Sequence, residues 1–157
     1  MSDAAGRRSV ADLDADLIEY LVVVVPDLGA LERLAPAVAE LVESSAIRIL
    51  DLVCVTRSPH GGGLTVLELE DVESLAGLRD VEGEVGGLLS AHDIATASLA
   101  VAPGASAIVL LVEGRWAAHL STAAKQAGGR IVGGERIARH RVEAAHAADA
   151  PGGAGDR

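Results

Sequence analysis

Leu21-Val-Val-Val-Val25 and Ile108-Val-Leu-Leu-Val112 decide how this chain is read. Each is an unbroken apolar run, closed by Pro26-Asp27 in the first case and by Glu113-Gly114 in the second. Apolar residues without alternation are the pattern of a strand covered on both faces, so both runs predict buried central strands. Each is followed by a stretch with helical spacing and then by a further strand-like stretch, so one unit is used twice.

Working outward from the first run, Leu17 to Val25 is the predicted first strand. Leu31, Leu34, Val38, Leu41 and Val42 then make the stripe of an amphipathic helix over Leu28–Ser44. Pro36 lies inside it, so the helix either kinks there or starts its regular part there. Ile47 to Arg57 is rich in β-branched residues and predicts the second strand. Its apolar phase shifts near Asp51: either both faces are partly covered or a bulge sits there. Ser58-Pro-His-Gly-Gly-Gly63 is a turn, and Leu64–Glu70 a third strand returning as a hairpin.

Between Asp71 and Val101 the pattern is least regular. Val72, Leu75, Leu78, Val81, Val85, Leu88 and Leu89 keep helical spacing, but four glycines weaken that helix. A short helix is predicted from about His92 to Val101, with Ser90 or Asp93 at its start. Ser106–Glu113 is the second central strand. Trp116, Leu120, Ala123, Ala124 and Ala127 form the next helical stripe, ended by Gly128-Gly129, and Arg130–Ile137 is the predicted final strand.

Two strand-helix-strand units, Tyr20–Val55 and Ser106–Ile137, predict an α+β fold. The expected form is a ferredoxin-like split β-α-β sandwich, with an extra hairpin strand and a helical insertion between the halves. Residues 1–16 read as a flexible acidic tail, 17–137 as a single domain and 138–157 as an Ala/Gly-rich tail that begins with a helical extension.

Composition narrows the function classes. The core must be built from Val, Leu, Ile and Ala, because the chain has no Phe, one Tyr and one Trp. The net charge of −10 and the shortage of stacking platforms argue against nucleic acid as a partner. Charge is uneven: Glu68–Glu84 is acidic and Arg115–Arg141 basic, so the two segments could attract each other within or between chains. Cys54 is the only cysteine, which fits a reducing cytoplasm. No apolar stretch of signal-peptide length follows Arg7-Arg8, and Leu99–Val112 is broken by Pro103-Gly104 and falls short of the roughly 20 residues a spanning helix needs. The expectation is a soluble, cytoplasmic protein without a membrane partner.

Catalytic motifs are not found. His60-Gly-Gly-Gly63 resembles an esterase oxyanion loop, but no Gly-x-Ser-x-Gly elbow accompanies it. The other glycines match neither a Walker loop nor a dinucleotide fingerprint. His140 and His146 fall on different sides of a helix, and His60, His92 and His119 lie on separate elements, so neither a metal nor a cofactor is expected. Asp51, a carboxylate among apolar residues, is the most notable titratable group, and Cys54 reads as a small buried hydrophobe.

The order Tyr20-LVVVVPD, helix, Ile47-RILDLVCVTR, turn, Leu64-TVLELED, helices, Ala102-PGASAIVLLVE, helix, Gly128-GRIV resembles an uncharacterised bacterial family of actinobacterial type. Longer relatives in that family are described as membrane or stress-associated proteins and carry a glycine-rich hydrophobic hairpin. This chain has the acidic Asp71–Leu89 stretch in that place, so membrane association does not carry over, and the family implies no activity.

Two functional expectations follow. One is a non-enzymatic interaction module that forms a homodimer or binds a protein partner through a sheet face left without helices. The alternative is a small-molecule-binding or enzymatic domain with a cleft between the sheet and the 71–101 insertion, where Asp51, His60, Glu68 and His92 would be the polar contacts.

Overall fold

The computed structural model describes residues 13–71, 73, 76–79 and 87–149. The expected helix through Val72–Leu89 lies mostly outside these residues, as do the outer parts of both tails. Strands β1 (Ile18–Val25), β2 (Arg48–Arg57), β3 (Leu64–Leu67) and β4 (Ser106–Glu113) form one antiparallel sheet in the order β1-β4-β2-β3. The helices are α1 (Leu28–Glu32), α2 (Ala35–Glu43), α3 (Ala76–Arg79), α4 (Ala91–Ala97), α5 (Ala118–Gln126) and α6 (Arg139–Asp149). The fold is thus mixed α+β. β1 and β2 run parallel with β4 between them, and β3 and β4 run parallel with β2 between them, so each crossover skips one strand.

β4 behaves as its sequence predicts: all eight of its residues are buried. Ile108, Leu110 and Val112 point to one face and pack with Ile49, Leu52 and Cys54 of β2, Leu31 of α1 and Val38 of α2. Val109 and Leu111 point to the other, against Leu50, Leu89, Ile94 and Ala97. Val55 and Ala107 extend that second layer to Val101. Over β4 and β2 the sheet face opposite α1 and α2 is therefore covered by α4 and the turns flanking it, which corrects the expectation that one face would lie without helices.

β1 departs from its prediction. The run Leu21–Val25 pairs residue for residue with β4, from Ile18↔Glu113 to Val25↔Ser106, yet it is an edge strand. Leu21 and Val25 pack toward α1 and α2, whereas Tyr20 is 52% exposed and Val22, Val23 and Val24 also reach solvent. Arg130–Ile137, the predicted final strand, has no regular structure. Among the described residues no strand pairs with the outer side of β1, so an apolar run that reads as central stands at the edge of the sheet.

The helical break at Pro36 is the second of the two forms anticipated. Asp27 caps α1 through its Oδ1, which accepts from the Ala30 N–H at 2.9 Å, and Pro36 sits in the first turn of α2, where no helical N–H is needed. The phase shift in β2 is a bulge: Ile49 pairs with Val112 and Asp51 with Leu111, leaving Leu50 as the extra residue. Leu50 and Asp51 consequently both face α4, while Leu52 and Cys54 return to the α1/α2 side. α4 begins with a capping box in which Ser90 Oγ accepts from the Asp93 N–H and Asp93 accepts from the Ser90 N–H.

Residues 13–17 are tied to the end of β4 and to α5. The Asp14 N–H donates to the buried Glu113 carboxylate at 2.6 Å, and the Asp14 carboxylate accepts from Ser121 Oγ and, at 2.7 Å, from Lys125 Nζ. The boundary drawn at residue 16 falls inside this docked segment. The Lys125 and Ser121 hydrogen bonds hold the Asp14 carboxyl below its usual range. A lowered folded-state value means that this stabilisation is complete above the unfolded-state value and is lost as pH falls through the folded one. Acid unfolding followed by circular dichroism should therefore be shallower in its last stage for Lys125→Met than for the native chain, and the difference should shrink in high salt.

Candidate functional site

The carboxylate of Asp51 is 3% exposed and both its oxygens are engaged. Oδ1 accepts from the Leu52 N–H at 2.9 Å and Oδ2 from the Leu89 N–H at 2.7 Å. The second bond crosses between the sheet and the turn that leads into α4. Because the bulge at Leu50 turns Asp51 to this side, a residue that would otherwise face α2 instead pins the insertion to the sheet.

A cleft of about 250 Å³ lies beside this contact, lined by Asp51, Glu68, Val66, Gly87, Leu89 and Ile94 among others. Of the four polar residues named from the sequence, it brings Asp51 and Glu68 together. His60 and His92 do not line it. His60 sits exposed in the β2–β3 turn, beyond Arg57 and so about 20 Å along the strand from Asp51 at 3.3 Å per residue. His92 is exposed on the first turn of α4. Among the described residues there is no group of three His, Cys, Asp or Glu side chains that could hold a metal ion, and no helix is long and apolar enough to cross a membrane.

Arg57 escapes sequence reading, since nothing in an Arg at a strand end marks its target. Its Nε donates to the Val101 carbonyl at 2.7 Å and its Nη2 to the Ser98 carbonyl at 3.2 Å, closing the far end of the α4 turn with a charge-assisted clamp. Asp51 and Arg57 thus hold the two ends of one covering layer. Both act as fasteners.

The second place of interest is the β1 edge and the surface that continues from it. Trp116 is 73% and Leu120 63% exposed, so the stripe predicted for α5 faces solvent instead of the sheet. A hollow of about 410 Å³ separates them from the start of β1, with Ile18, Glu19, Trp116, Leu120, Ile131 and Gly133 on its walls. Asp16 meets Arg130 Nη2 at 3.0 Å on the same side. The basic 115–141 segment therefore pairs with acidic residues ahead of β1 through Lys125 and Arg130. Tyr20 reaches from β1 toward α4. Partial burial, and then the neighbouring Asp93 carboxylate, raise its phenol above the usual range. Asp93 is itself held low, first by its bond from the Ser90 side chain.

No protein-family model matches this chain, and no curated protein or solved structure matches it either.

Proposed function

We propose that this chain is a non-enzymatic interaction module of the cytoplasm that works by self-association through the open edge of β1. The kinship with the uncharacterised bacterial family belongs to the same proposal and adds no chemistry to it. The observation that carries the reading is the edge itself. β1 is an eight-residue edge strand on whose outer side the backbone groups of alternate residues meet no other described strand; four of its large apolar side chains besides Tyr20 are more than a third exposed, and it has none of the lysine, proline or bulge that blunts edge strands.

The small-molecule reading has less support. The Asp51 cleft is smaller than the roughly 300 Å³ at which ligand pockets begin, and the buried carboxylate that would anchor a ligand already accepts two backbone N–H groups.

Light scattering and native mass spectrometry of the full chain over a wide concentration range test this proposal. A dimer is expected, and a double substitution, Val22→Lys with Val24→Lys, should weaken self-association by more than about tenfold while leaving the fold intact. A native chain that stays monomeric throughout, or a dimer that this double variant does not weaken, would refute it.

A further inference from the structure

We propose that the Arg130–Ile137 segment of a second copy adds to β1 as an antiparallel fifth strand, and that the two copies exchange this segment reciprocally. The inference rests on the self-association reading above and names its occupant.

Arg130–Ile137 is predicted as a strand but has no regular structure, and two of its three large apolar side chains are out in solvent: Val132 is 88% and Ile137 51% exposed, while Ile131 is half-buried in the hollow beside Ile18. A segment of that kind and an unpaired apolar edge are complementary. What prevents them from meeting antiparallel within one chain is direction. A strand antiparallel to β1 must enter beside Val25 and leave beside Ile18. Arg130, however, is held at the Ile18 end by Asp16, with Nη2 3.0 Å from Oδ1. α5, which would have to carry the chain back, spans about 13 Å at 1.5 Å per residue, against about 26 Å for β1. The segment therefore starts at the wrong end of its own edge, and a second copy's edge is not subject to that restriction.

The side chains fit this pairing. With the two eight-residue stretches fully overlapped and antiparallel, Ile18 lies opposite Ile137, Val23 opposite Val132 and Val24 opposite Ile131. Glu19 lies opposite Arg136, an opposite-charge pair across the strands. Gly134 and Gly133 fall opposite Leu21 and Val22, where the absence of Cβ lets backbones approach closely. Pairing β1 with β1 of a second copy would instead bring Asp14, Asp16 and Glu19 of each chain against the same acidic stretch or plain valine, without any complementary charge. Gly128, at φ +83, and Gly129 precede the segment and supply the hinge that exchange requires.

Two experiments on the full-length chain test it. First, one preparation carries Val23→Cys and another Val132→Cys; Cys54 is buried and stays in place in both. Mixed and oxidised, they should form a covalent heterodimer, and a chain carrying both substitutions should link between copies. An internally bridged monomer of that doubly substituted chain overturns the proposal. So does a dimer that forms no such link, an outcome that leaves self-association through β1 standing. Second, Glu19→Arg and Arg136→Glu should each weaken dimerisation by about fivefold, and the two combined in one chain should restore it. Single losses without that recovery overturn the assigned register.

Discussion

Ile108→Ala should lower the free energy of unfolding by about 4 kcal/mol, within the range of 2–5 for truncation of a fully buried Ile or Leu. Ile108 is 0% exposed and lies under α1 and α2 on the innermost strand, with neighbours on every side that cannot collapse into the space it leaves. The core has no Phe to shift, and the cluster around Ile108 is held in place by neighbours that are themselves buried, among them Leu31, Cys54, Leu110 and Val112, so relaxation should be small. The counterpart in the other apolar run is Val24→Ala, and here the expected loss in the monomer is below about 1 kcal/mol, because Val24 is 42% exposed. Urea titration of both variants checks this, provided the dependence on denaturant stays the same and only the midpoint moves. Comparable losses for the two would mean that β1 is covered in the isolated chain.

Asp51→Ala should destabilise by about 3 kcal/mol, in the upper range for hydrogen bonds to a buried charged acceptor. The physical cost is the stranding of the Leu89 N–H, which has the Asp51 carboxylate as its acceptor at 2.7 Å. Asp51→Asn should fall between the native chain and the alanine variant, since an amide has one acceptor oxygen and must present a donor to one of two donors. Hydrogen exchange offers a readout that overall stability does not: the Leu89 amide should lose protection far more than the amides of β4. Equal loss at both places would show that Asp51 supports the whole core and does not specifically fasten the covering turn.

These two predictions also mark what could be read from the sequence. Ile108–Val112 and Leu21–Val25 are indistinguishable as patterns, yet one is the centre of the sheet and the other its margin. Local sequence reports what a strand is suited to touch, and whether the neighbour arrives depends on where Arg130–Ile137 goes. The hairpin at Ser58–Gly63 is legible because it is written in residues a few positions apart, and the same local signals narrow the break at Pro36, the cap at Ser90 or Asp93 and the irregularity beside Asp51 to two readings each. The partners of Asp51 and Arg57 are not legible in this way. Their targets are the Leu89 N–H and the carbonyls of Ser98 and Val101, and backbone groups carry no sequence signature. Of the four polar residues proposed for a cleft, Asp51 and Glu68 meet there because antiparallel pairing of β2 with β3 brings their positions together; the two histidines were grouped with them by chemical type alone, and the fold keeps them apart.

The bulge at Leu50 has a bearing on how this strand tolerates insertion and deletion. In a regular strand, loss of one residue turns every later side chain to the opposite face, which would be ruinous in a sheet buried on both sides. Leu50 stands outside the ladder: Ile49 and Asp51 already pair with consecutive residues of β4, Val112 and Leu111. A chain lacking Leu50 keeps the register on both sides of the gap and forfeits one buried leucine. β2 therefore carries a position where its length can change by one while its reading frame of faces does not.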